Sequence, residues 1–128
     1  MIVESSAPLA VALDEPDARR FADAMTAAPR PRISAANWYE VVMVVDRRGD
    51  AEARRRLDAL VLQLVPFTAA HAAHAREASR NSSRGRRGAK LNVGDCLACG
   101  GAKGERETLL FKGRAFGRTD IEPAMKDG

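Results

Sequence analysis

The sequence predicts an α/β fold with a mainly parallel central sheet and helices on both faces. Three observations carry that expectation. Four short strand-like runs, near Met1–Val3, Arg32–Ile33, Leu64–Phe67 and Thr108–Phe111, punctuate the chain. Segments with helical spacing and helix caps separate them, and strands joined through helices pair in parallel by right-handed crossovers. The 128 residues, 45% hydrophobic and 30% charged, suit a single domain spanning 1–128 that buries one core without disulfides or metals as staples.

The elements follow in order. Met1-Ile2-Val3 opens as a buried strand. Ser5 or Ser6 then caps a short helix carrying Leu9, Val11 and Leu13, with Pro8 in its first turn, where a missing N–H costs little. Glu15-Pro16-Asp17 starts a second helix, whose stripe of Ala18, Phe21, Ala22 and Met25 has i, i+3, i+4, i+7 spacing. Pro29 and Pro31 end it before the second strand, and Ser34 caps a helix from about Ala35 to Arg48, closed near Gly49. Asp50 caps the next helix, in which Leu57, Leu60, Val61 and Leu64 form the expected apolar stripe. Leu64-Val65-Pro66-Phe67 reads as the third strand. Thr68 caps an alanine-rich helix reaching about Arg80, and NSSRGRRGAK reads as an exposed basic loop. A helix from about Asn92 to Lys103 and the strand at Thr108–Phe111 complete the pattern.

Composition excludes some classes. No apolar run nears the roughly 18 residues of a membrane span. No basic segment opens the chain as in a secretory signal, so the cytoplasm is the expected compartment. Lys and Arg number 21 against 17 Asp and Glu, a net charge of +4. That excess suits a polyanionic partner such as nucleic acid, or an arginine-rich solvated face.

Four acids stand out. Glu4 follows the first strand, at the carboxyl edge where parallel sheets place their sites, and nothing local is expected to satisfy it. Glu40 shares a mostly apolar helix face with Ala36, Asn37, Met43 and Val44. Asp95 lies in the first turn of a helix among Val93, Cys96, Leu97 and Cys99, and Asp120 adjoins Ile121. Taken singly they have plain readings: a helix-dipole partner for Asp95, an arginine partner for Glu40, and exposure for Glu4 and Asp120. Taken together, acids from separate elements are what a hard divalent cation requires, and such a cation activates water against a phosphodiester. Ser5-Ser6 as a nucleophile lacks a histidine in a suitable context.

MIVESSAPLAVALDEPDARRF, PRISAANWYEVVMVVDRRGD, VPFTAAHA, LNVGDC and LLFKGRAFGRTDIEPA, in that order, resemble the VapC toxins, PIN-domain ribonucleases of type II toxin–antitoxin systems. The resemblance implies a three-layer α/β/α PIN fold and a Mg²⁺- or Mn²⁺-dependent endoribonuclease. It also implies a cognate VapB-type antitoxin and a homodimer or a heteromeric toxin–antitoxin assembly. The family's first acid, normally aspartate, falls on Glu4, its second on Glu40 and its third on Asp95. From the last acidic cluster Asp120 remains, while Arg114 and Ala115 stand where the family has acids. Glu4 and Asp95 are the implied direct metal ligands.

These departures imply reduced or lost cleavage. Glutamate at position 4 moves the carboxylate by about 1.5 Å, one bond length, where catalytic constellations tolerate about 0.5 Å. Arg114 is expected to repel a metal and to pair with Glu4 or Asp95. The segment between Leu57 and Phe67 is a few residues shorter than in the family. Arg84, Arg86, Arg87 and Lys90, on the basic loop, are the candidates for RNA phosphate contacts. Two other readings stay open: a catalytically degenerate protein acting by antitoxin binding, and a zinc-stabilised interaction domain using His71, His74, Cys96 and Cys99.

Overall fold

The computed structural model describes residues 1–84, 91–117 and 119–125. Among them, β1 (Ile2–Val3), β2 (Arg32–Ser34), β3 (Gln63–Val65) and β4 (Leu109–Leu110) form one sheet in the order β3-β2-β1-β4. Every pairing is parallel: Ile2 is in register with both Arg32 and Leu109, Val3 with Leu110, and Ile33 with Leu64. The chain winds from β1 to β3, then returns to lay β4 on the free side of β1. That reversal puts a crevice beyond the carboxyl ends of β1 and β4.

Alternation along the strands divides the core. Val3 and Leu110 face a cluster that includes Ala7, Val11, Phe21, Met25, Val41, Val45 and Leu57. Ile2 and Leu109, pointing the other way, face Ala98, Cys99, Ala102, Phe116 and Ile121. The first cluster is built by α1 (Ser6–Ala12), α2 (Ala18–Ala27), α3 (Ala35–Arg48) and α4 (Ala51–Asp58). The second is covered by α6 (Val93–Glu105), with α5 (Ala69–Arg84) packed along it. The three-layer α/β/α arrangement expected from sequence is therefore present. Among the described residues, no helix is long and apolar enough to cross a membrane.

Several boundaries obey local chemistry. Ser34 caps α3 by accepting from the Asn37 N–H, and Gly49 closes that helix at φ 63°. Asp50 accepts from the N–H groups of Glu52 and Ala53 to start α4. Thr68 Oγ1 accepts from the His71 N–H while His71 Nδ1 accepts from the Thr68 N–H, so each satisfies the other at the start of α5.

Other expectations fail. The stripe through Leu60, Val61 and Leu64 does not exist: α4 stops at Asp58 and buries Ala53 and Leu57. Val61 is 88% exposed and Leu64, on the edge strand β3, is 48% exposed. Two adjacent elements happened to continue one apolar spacing. Residues 81–84, read as loop, extend α5. Phe67 lies beyond β3 and packs edge-on against the His71 ring. The outer edge of β4 is covered by the C-terminal segment, where the Leu109 N–H donates to Glu122 and Leu109 accepts from the Ala124 N–H.

The amino ends of the strands carry a chain of alternating charges. The Met1 amino group and Arg32 both bind Glu107, and Arg32 also binds Glu105, whose other oxygen faces His71 Nε2.

Candidate active site

The opposite edge of the sheet collects carboxylates. Glu4 leaves β1 there, held by its N–H donating to the Leu110 carbonyl, and its side chain is only 5% exposed. Contrary to the expectation from sequence, its partner is local. Glu4 Oε2 accepts from the Ser6 N–H at 2.8 Å and from the Ser6 hydroxyl. That hydroxyl oxygen in turn accepts from the Lys112 N–H at 2.8 Å, so its hydrogen is directed at Glu4. The glutamate side chain is long enough to curl back over the following turn. It does what a capping serine was expected to do, and neither Ser5 nor Ser6 caps α1 with its own side chain.

Glu40 reaches the same region from α3. Its carboxylate lies against Gly94: a Cβ at that glycine would stand 2.6 and 2.7 Å from the two Glu40 oxygens. Asp95, next along α6, is the last residue of a capping box. Its Oδ2 accepts from the Asn92 N–H at 3.0 Å, and its own N–H donates to Asn92 Oδ1 at 2.8 Å. The dipole-partner reading of Asp95 is thus correct, and it coexists with membership of the cluster.

Glu40 acts on both other carboxylates, and Asp95 acts on Glu4. Burial pushes the Glu4 carboxyl above its ordinary range, and Asp95 and Glu40 push it further, against the two lowering bonds from Ser6. Asp95 is also raised, first by burial and then by Glu40, with the Asn92 N–H opposing. Among the described residues, no basic side chain figures in these influences. Lys112 is engaged by Glu15 and Asp17 at 2.8 and 3.0 Å. Arg114 is exposed and, among the described residues, makes no ion pair with Glu4 or Asp95, which corrects the expected built-in counter-ion.

Asp120 stands apart from the trio. It is exposed and pairs with Lys103, eight residues beyond Asp95 on α6 and so about 12 Å along that helix. Arg84 ends α5, but its side chain, like Arg86, Arg87 and Lys90, lies outside the described residues.

The zinc reading is overturned. His71 spends Nδ1 on Thr68 and points Nε2 at Glu105, with its ring against Gly104. Cys96 and Cys99 are buried free thiols, and burial pushes Cys99 up to about 12. Thiols so raised are poor ligands and nucleophiles.

Sequence reasoning noted Asn37 only as a neighbour of Glu40, yet it is the polar centre of this edge. It is fully buried, and its Nδ2 donates to Ser5 Oγ and to the Gly94 carbonyl, both at 3.1 Å. Its Oδ1 accepts from Ser34 Oγ at 3.0 Å. Flipping the amide would set two oxygens against each other at Gly94, which fixes its orientation. The available signal was Ser34-x-x-Asn37, a polar residue at the third position of a capped helix.

The donors suit a hard cation in kind: oxygen atoms, negative charge and, among the described residues, no chain cation. As they stand, no three His, Cys, Asp or Glu side chains among the described residues are close enough to share one ion.

Comparison with known proteins identifies the family and the fold. The PIN domain family model matches residues 1–122. A VapC ribonuclease of Mycobacterium bovis is 40% identical over 130 residues, 98% of each chain. Ribonuclease VapC30 of Mycobacterium tuberculosis is 39% identical over 125 residues, 94% of this chain and 95% of that one. A solved toxin–antitoxin complex from Klebsiella pneumoniae contains a chain of similar fold, with a TM-score of 0.66 at 19% identity, covering 93% of this chain and 92% of that one. On the near full-length matches, the chain belongs to the VapC ribonuclease family of PIN-domain proteins.

Proposed function

We propose that this chain is the toxin of a VapBC-type toxin–antitoxin pair, a cytoplasmic endoribonuclease that hydrolyses RNA phosphodiesters with Mg²⁺ or Mn²⁺. The observation that carries the reading is the trio Glu4, Glu40 and Asp95, delivered from three elements to one edge of the sheet with no compensating cation among the described residues. Such an edge repels a phosphodiester unless a cation intervenes. Glu4 and Asp95 are the proposed direct ligands, Glu40 completes the charge, and Asp120 is an outlying member. A cation held there supplies charge neutralisation and Lewis-acid activation of water and phosphate.

The chain's own groups do the rest. Ser6 fixes Glu4 Oε2 and, among the described residues, leaves Oε1 for another partner. Asn92 fixes Asp95 Oδ2. The partner is a cognate VapB-type antitoxin, and the active form is a homodimer or a heteromeric assembly with it. RNA cleavage in Mg²⁺, in Mn²⁺ and in EDTA, with Asp95→Asn as control, tests the reading. Cleavage is expected with metal and lost in EDTA and in the variant. Cleavage surviving both would overturn the metal-dependent mechanism.

The engagement of Glu4 with Ser6 favours a second reading, an antitoxin-binding protein with little remaining nuclease activity. The same assay separates the two, because that protein would bind antitoxin and leave RNA intact under all conditions.

A further inference from the structure

Two residues of α3 one turn apart, Asn37 and Glu40, both reach Gly94, the residue preceding Asp95. Asn37 holds its carbonyl, and the Glu40 carboxylate occupies the space its missing Cβ leaves open. The same Asn37 amide holds Ser5, the residue after Glu4. We propose that Asn37 and Gly94 are positioning residues that clamp α3 to the first turn of α6, setting Glu4, Glu40 and Asp95 in mutual register for the metal.

The two halves of the clamp have different physical consequences. Removing the Asn37 amide leaves the Gly94 carbonyl, Ser5 Oγ and Ser34 Oγ short of partners in a buried place, so folding suffers along with the site. Adding a methyl at Gly94 meets first the far end of the Glu40 side chain, which swings away at little cost. Alanine also favours the helix more than glycine does. Gly94→Ala therefore displaces one carboxylate and spares the fold.

The inference rests on the metal-dependent reading, and the test keeps the two apart. Mn²⁺ affinity is measured by calorimetry on the full chain, alongside the thermal midpoint. Gly94→Ala is expected to weaken Mn²⁺ binding by about 10- to 100-fold, the usual scale for groups that orient ligands, at an unchanged midpoint. Its effect should vanish in a Glu40→Ala background, because the methyl acts only through that side chain. Unchanged affinity in Gly94→Ala, or losses that simply add, would overturn the clamp.

Should the wild-type chain bind no Mn²⁺, the metal reading fails by itself. The clamp is then judged in metal-free protein by hydrogen exchange at the Asp95 and Cys96 amides. Asn37→Ala should strip protection there while Gly94→Ala keeps it. Protection retained in Asn37→Ala would end the proposal.

Discussion

The two edges of the sheet solve opposite electrostatic problems. At the amino ends of the strands, the Met1 amino group, Glu107, Arg32 and Glu105 alternate in sign. The Met1 amino group beside Glu107 holds that carboxyl below its ordinary range. At the carboxyl ends, Glu4, Glu40 and Asp95 share one sign, and both Glu4 and Asp95 are pushed up. The first edge is balanced by the chain itself. Among the described residues no basic side chain offsets the second, so protonation or an external cation would relieve it, which fits the site proposed above.

If that contrast is real, strengthening the acidic edge should improve function while taxing the metal-free fold. Glu4→Asp combined with Arg114→Asp and Ala115→Asp restores the family's acids. It shortens the side chain at position 4 by one methylene. The expected outcome is RNA cleavage raised on the order of 10-fold or more, since misplacement of a reacting group by about 1 Å costs up to about 100-fold. Initial rates at saturating Mg²⁺ check it, and an unchanged rate would mean that Glu4 is already well placed.

How much of this was legible in the sequence follows from how local each interaction is. Ser34, Gly49 and Asp50 were readable as helix boundaries because each acts within three residues of itself. The α4 stripe was misread because spacing alone carries no information about where a helix stops, and no glycine or proline marks Asp58. Glu4 was misjudged for another reason. A serine two residues on is equally able to cap a helix or to hold a carboxylate, and only the Lys112 N–H arriving from β4 decides which. Asn37, Gly94 and Arg32 act across 57, 57 and 75 positions, and no single-sequence pattern announces such pairs. The acids stood out by their apolar neighbours and the family resemblance joined them into one site, whereas their mutual repulsion is visible only in three dimensions.

Weakening the balanced edge should do the reverse. Arg32→Ala leaves Glu105 and Glu107 without their shared cation, and about 1–2 kcal/mol of stability should be lost by chemical denaturation. Cleavage per folded molecule should not change, because the site lies at the other end of the strands. A parallel loss of activity would show that the two edges are coupled.

The pH dependence separates them more finely. Glu4 is raised in the folded state, so its contribution to stability is present below its ordinary value of 4.5 and is lost as pH rises through the raised value. Glu107 is lowered, so its contribution is present above 4.5 and is lost as pH falls through the lowered value. In metal-free denaturation curves, Glu4→Gln should therefore flatten the decline on the higher-pH side. Glu107→Gln should flatten the decline on the acid side. Identical pH profiles for the two variants would erase the distinction between the edges.

The smallest effect is expected at Arg114, and it is the sharpest check on whether the acidic edge is uncompensated. The residue is exposed and makes no ion pair with Glu4 or Asp95 among the described residues. Exposed charges are screened beyond about 8 Å at physiological salt, and surface substitutions away from special features change stability by less than about 0.5 kcal/mol. Arg114→Ala should accordingly leave stability in that range and shift Mn²⁺ affinity by less than about 3-fold, which is roughly 0.6 kcal/mol. A rise of about 10-fold would need roughly 1.4 kcal/mol. That is more than a screened surface charge supplies, and it would mean that Arg114 folds over the trio in solution. The chain would then carry its own counter-ion at both edges, and the contrast between them would no longer mark a site awaiting a metal.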